Sequence, residues 1–113
     1  MKNNNLYFTT GSPGGSRIIT AVLQSIINIV DYGMNLEDAN AAIRIHHQWQ
    51  PDLLQIESFI DPELKNQLLR LKYNIKIINP ATCLQTIMYK DNMYYGYGDF
   101  RRPDAFASGE IHD

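Results

Sequence analysis

The chain is poor in several things that would each have pointed to a function. It has one cysteine, Cys83, so no internal disulfide can form and no thiolate-rich metal site can be built. Lysine and arginine (10) do not exceed aspartate and glutamate (12), and charged residues are 19% of the chain. No basic surface is on offer to nucleic acid or an anionic membrane, so neither is expected as a partner. Three histidines are too few and too scattered for a catalytic zinc site. His46 and His47 are adjacent and would point to opposite faces of a strand, and His112 sits in the tail. The phosphate-loop pattern G-x-x-x-x-G-K-[ST], the dinucleotide pattern G-x-G-x-x-G and the G-x-S-x-G elbow are all missing. No cofactor or metal is therefore expected. Met1-Lys2-Asn3-Asn4-Asn5 is polar and no apolar stretch follows directly, so no export signal is visible at the start.

What is present is a chain able to bury a core. Hydrophobic residues make up 44% of the 113, with seven tyrosines, four phenylalanines and one tryptophan, which argues against disorder. The length allows one domain at most. Leu6–Thr10 is aromatic and β-branched, as strands are. Ser16 to Tyr32 reads as a helix that ends at a left-handed Gly33. Its stripe of Ile19, Val22, Leu23, Ile26, Ile27 and Val30 is widened by Ile18, Ala21 and Ile29, so cover is expected on most sides. At about 25 Å, from 1.5 Å per residue, this helix is short for a membrane span.

Further along, Asn35 is placed to cap a short helix over Leu36–Ala42, with acids in its first turn. Arg44–Trp49 is expected to be extended or irregular, and Leu53–Glu57 to be a strand. Asp61-Pro62-Glu63 opens another helix, with Leu64, Leu68 and Leu71 as its expected buried face. Tyr73–Ile78 reads as a strand, and Leu84–Tyr89 with Met93–Tyr97 as a hairpin about Lys90-Asp91-Asn92. Arg101 onward is loop-like, and no repeat or linker is visible. The fold class is mixed, α+β, with an antiparallel pair near the end.

The stretch with chemical promise is Gly11-Ser12-Pro13-Gly14-Gly15-Ser16-Arg17, between the first strand and the long helix. Paired glycines permit a sharp turn and leave amide N–H groups unshielded by side chains. The helix that follows adds its own unsatisfied amides and positive dipole end. Such a turn can hold a phosphate, a carboxylate or the oxyanion of an acyl-transfer intermediate. It can equally be a bare strand-to-helix connection. A triad drawn from Ser12 or Ser16, His46 and an acid has no support in spacing. Arg17 and Arg44 can bind carboxylates or tie loops down, and Arg101 and Arg102 with Asp99 and Asp104 read as a local ion-pair knot.

The full string Gly-Ser-Pro-Gly-Gly-Ser-Arg-Ile over 11–18 resembles the glycine-loop signature of the gamma-glutamyltranspeptidases, which are N-terminal nucleophile hydrolases. The likeness continues through Asp31-Tyr32-Gly33-Met34, Ala42-Ile43-Arg44-Ile45-His46-His47-Gln48-Trp49 and Pro51-Asp52-Leu53, and returns at Asp99–Asp104. It implies one partial domain, residues 1–113, forming part of an αββα sandwich at the C-terminal end of a small subunit. It also implies cleavage of gamma-glutamyl amides such as glutathione by an N-terminal threonine, with transfer to water, an amino acid or a peptide. Gly14 and Gly15 match the glycines whose amides form the oxyanion hole, with Gly15 also against the substrate.

The same resemblance implies that the threonine, the substrate-holding serines and the large subunit lie before Met1, as partners from one precursor. A periplasmic or extracellular location follows from the family in the same way. The string departs from the family at Ile43 and Phe100, where prolines are usual, at Ala105 in place of glycine, and over Thr82-Cys83-Leu84-Gln85. An inactive, truncated remnant with at most a structural or partner-binding role is the alternative these departures raise.

Overall fold

A computed structural model describes residues 1–110, and His112 lies outside the described residues. The elements run β1 (Phe8–Gly11), α1 (Arg17–Val30), α2 (Leu36–Ala41), β2 (Ile45–His46), β3 (Leu54–Glu57), α3 (Pro62–Arg70), β4 (Ile75–Ile78), β5 (Gln85–Lys90) and β6 (Met93–Gly98). They fall into two compact units. One comprises residues 1–42 and 82–113, and the other is residues 43–81.

The first unit is built on an antiparallel sheet of order β1-β5-β6. Its register sets Phe8 opposite Met88, Thr10 opposite Thr86, and Thr86 opposite Tyr97. Side chains alternate along a strand, so these residues share the face on which the helices pack. Met88 joins Ile29 of α1 with Leu36 and Ala39 of α2 in the buried cluster, and Tyr7, Phe8 and Tyr97 close round it. The opposite face carries Thr9, Gln85, Ile87, Gly96 and Gly98. The β5–β6 hairpin turns at Asp91 and Asn92, both at positive φ (53° and 61°), as a two-residue turn of matching twist requires. Asn3 and Asn4 repeat that device at φ 51° and 62°, between Lys2 and Asn5, which exchange two backbone hydrogen bonds.

Helix α1 is one residue shorter at its start and two at its end than the sequence predicts. Its C-terminus wraps as expected: Gly33 takes φ 62° and Met34 N–H returns to Asn28 O at 3.0 Å. Of the apolar surround expected to be covered, Ala21 and Ile29 are buried, but the central stripe is not. Ala21, Ser25 and Ile29 form the sunken line, while Ile19 is 75% exposed and Leu23 and Val30 about half exposed. Small residues let α1 approach the sheet and α2 closely, and the large apolar ones are carried on the outside. Asn35 caps α2 as expected, accepting Asp38 N–H at 2.7 Å.

The second unit pairs β2 with β3 antiparallel and β3 with β4 parallel, α3 forming the crossover. Asp61 accepts Glu63 N–H and Pro62 begins α3. No residue of α3 is buried. The expected buried face is thus not realised, with Leu64 38% and Leu71 69% exposed among the described residues.

Candidate functional site

The glycine loop leaves the sheet at Gly11, which pairs with Gln85. Gly14 lies at φ 135° and Gly15 at φ 60°. The first value is outside even the left-handed helical region, and only glycine adopts it readily. The second is left-handed helical, with no atom within 4 Å of where a Cβ would stand. Their carbonyls start the helix: Gly14 O accepts Arg17 N–H and Gly15 O accepts Ile18 N–H, each at 3.2 Å. Among the described residues, the N–H groups of Gly14 and Gly15 donate to no protein acceptor. Ser16, at the N-cap, has helical backbone angles (φ −62°, ψ −18°) and makes no capping bond, and the first turn of α1 holds no acid. Nothing in the first turn therefore offsets the positive end of the helix. Gly15 and Ser16 are exposed and Gly14 is half-buried. Two unspent amides before an uncapped helix suit a negatively charged oxygen.

The loop is held from below by Ser12. Its hydroxyl donates to Pro13 O at 2.6 Å and accepts Cys83 N–H at 3.1 Å. Of the ion-pair knot expected from Asp99, Arg101, Arg102 and Asp104, only the Arg101–Asp99 pair forms among the described residues and is buried, while Arg102 and Asp104 are exposed. Arg101 Nη1 lies 3.1 Å from Asp99 Oδ1, with side chains 1% and 0% exposed. Arg102 contributes through its backbone, donating its N–H to Asp99 O. Arg44 and Glu57 are both buried in the second unit, where the Glu57 carboxylate accepts Arg44 N–H at 2.9 Å. There the Glu57 side chain ties down the backbone at Arg44.

His46 and His47, the two described histidines, do not converge. His46 Nε2 meets Gln48 Oε1 at 3.0 Å, while His47 bonds Asp52 at 3.1 Å through Nε2 and accepts Trp49 N–H at Nδ1. Each bonds within its own stretch of chain, and the strand ends at His46, so His47 lies outside it. No group of three or more metal-ligating side chains occurs among the described residues. The hold of Ser12 on Cys83 and of Asp99 on Leu84 had no local signal in the sequence, because these partners stand 71 and 15 residues away.

The gamma-glutamyltranspeptidase family profile matches residues 1–109. The chain belongs to that family. It is 39% identical to the glutathione hydrolase proenzyme of Escherichia coli over 110 residues, covering 96% of this chain and 19% of that protein. A second proenzyme, from Pseudomonas sp. (strain A14), is 35% identical, with 96% and 21% covered. Among solved structures, an acivicin-inhibited gamma-glutamyltranspeptidase superposes with a TM-score of 0.84 at 40% identity, over 90% of this chain and 57% of that one. The Pseudomonas nitroreducens enzyme complexed with L-DON gives 0.86 at 25% identity, over 100% and 59%. The chain therefore spans about a fifth of the length of the curated relatives it matches. Its α+β fold is that of N-terminal nucleophile hydrolases of this family. No helix among the described residues is long and apolar enough to cross a membrane.

Proposed function

We propose that the chain is the C-terminal portion of a gamma-glutamyltranspeptidase small subunit and supplies the oxyanion loop for cleavage of gamma-glutamyl amides such as glutathione. The observation that carries this is the pair of positive-φ glycines whose N–H groups remain unspent ahead of an uncapped helix. When a nucleophile adds to an amide carbonyl, the oxygen gains negative charge. Fixed N–H donors at about 3 Å from that oxygen lower the barrier because they need no reorganisation as the charge appears. Gly14 and Gly15 fill that role, with Gly15 against the substrate. The adduct collapses by expelling the amine, and water or an acceptor amine then takes the acyl group.

The threonine nucleophile comes from another segment of the small subunit, and the large subunit completes the site. No metal or cofactor enters, and a periplasmic or extracellular location follows from the family. The departures at Ile43, Phe100 and Ala105 favour a second reading, an inactive remnant, which gives no turnover in any assembly. The purified chain alone should release no chromogenic amine from a gamma-glutamyl anilide. Turnover that survives repurification would overturn the division of labour proposed here.

A further inference from the structure

The entry to β5 is gripped from two sides. Cys83 gives its backbone N–H to Ser12 Oγ at 3.1 Å, and Leu84 gives its own to Asp99 Oδ2 at 2.7 Å. Both donors are buried, at 4% and 1% exposure, so each needs its acceptor. The second oxygen of Asp99 takes Arg101 N–H and Arg101 Nη1, both at 3.1 Å. The guanidinium reaches further, donating from Nη1 to Asn40 O and from Nη2 to Ala42 O, each at 2.9 Å. A continuous set of bonds thus runs from the end of α2, through the buried pair, across residues 84 and 83, to the glycine loop.

We infer that Ser12 and Asp99 are positioning residues for the glycine loop, an inference that rests on reading Gly14 and Gly15 as oxyanion donors. Asp99 fixes the backbone at residues 83–84, and Ser12 ties the loop to that fixed point two residues before Gly14. The residue types match the task. Ser12 must donate to Pro13 O while accepting from Cys83, which a hydroxyl does and a methyl does not. Asp99 must accept on both oxygens, whereas an amide would turn one of them into a donor facing an N–H.

Amide hydrogen exchange followed by mass spectrometry on the full chain tests this with Ser12→Ala, Ser12→Thr and Asp99→Asn. Ser12→Ala should speed exchange at the hydrogen-bonded amides within residues 11–18, those of Arg17 and Ile18 above all, and over residues 82–86 by about tenfold or more, and leave residues 54–57 of the other unit unchanged. Ser12→Thr should restore wild-type protection, and Asp99→Asn should loosen both segments. Unchanged exchange over 11–18 in Ser12→Ala, or a threonine variant as loose as the alanine one, overturns the inference. In a proenzyme carrying this segment, Ser12→Ala should lower kcat and leave KM, and Ser12→Thr should recover kcat. Full kcat in Ser12→Ala despite faster exchange also overturns it. If the wild-type proenzyme shows no turnover while the exchange results hold, the oxyanion reading fails and the positioning of the loop stands.

Discussion

Thr86 Oγ1 lies 3.2 Å from Asn40 Oδ1, and this contact joins the sheet to the helical layer. Thr86 also shares a 2.7 Å hydrogen bond with Thr10 of β1. The Asn40 oxygen additionally accepts from Ser25 of α1 at 3.1 Å, and its amide donates to Leu36 O at 2.8 Å. Three elements, α1, α2 and β5, therefore meet at one fully buried amide, and β1 joins through Thr86. A buried polar group left unpaired costs about 1–3 kcal/mol, and Asn40→Ala removes the acceptor that Ser25 and Thr86 share together with a donor to Leu36 O. The expected loss is about 2–4 kcal/mol in chemical denaturation at fixed protein concentration. A loss below about 0.5 kcal/mol, the scale of an ordinary surface substitution, would remove this hub from the account.

Gly98 should be intolerant of a methyl group for a different reason. A Cβ there would stand 2.6 Å from both Cα and N of Phe106, and these are backbone atoms that no rotamer change can clear. A Cβ added at Gly96 would stand 2.9 Å from the Ala107 side-chain Cβ, so the tail is seated along the glycine side of β6. Gly98→Ala should cost about 1–3 kcal/mol, as overpacking does. It should also speed amide exchange over residues 104–108 while β5 keeps its protection. Unchanged tail exchange would show that the tail is not seated there.

The outer face of α1 makes a prediction about association. Ile19 is 75% exposed, Val30 55% and Leu23 51%, on one side of a helix whose opposite side is packed. Apolar area of this kind drives self-association or waits for a partner surface. The isolated chain should run as oligomers or aggregates in size-exclusion chromatography with light scattering. Ile19→Lys with Leu23→Glu should shift it toward monomer. A monodisperse wild-type monomer with a sharp thermal transition would show that this face needs no cover.

Much of this was legible in the sequence because it is local. Gly33 stops α1, Asn35 caps α2, Pro62 opens α3, and Asp91-Asn92 turns the hairpin, each through chemistry confined to a few residues. The buried side of α1 was not legible. Apolar periodicity favours the Ile19–Val30 stripe, yet the line that packs is Ala21–Ser25–Ile29. Ser25 is buried because Asn40 offers it an acceptor, and no pattern within the helix reveals a partner 15 residues away. Likewise the glycine loop was visible as a motif, while its support by Ser12, Cys83 and Asp99 depends on how β5 is threaded. Strand ends moved by one or two residues for an ordinary reason. Tyr7 still accepts Tyr89 N–H at 2.9 Å although β1 begins only at Phe8.

The central claim is that Gly14 and Gly15 serve acyl transfer in an assembled enzyme. The direct measurement is gamma-glutamyl anilide turnover by the Escherichia coli proenzyme with its matching segment replaced by this chain, which is 39% identical to it. The chimaera should turn over. Gly14→Ala should lower kcat by on the order of a hundredfold or more, the usual loss for an oxyanion donor, because φ 135° is closed to alanine. Gly15→Ala should lose less, since φ 60° costs alanine only about 1–2 kcal/mol and the space for its methyl is open. A folded, processed chimaera whose kcat is indifferent to Gly14→Ala would contradict the account.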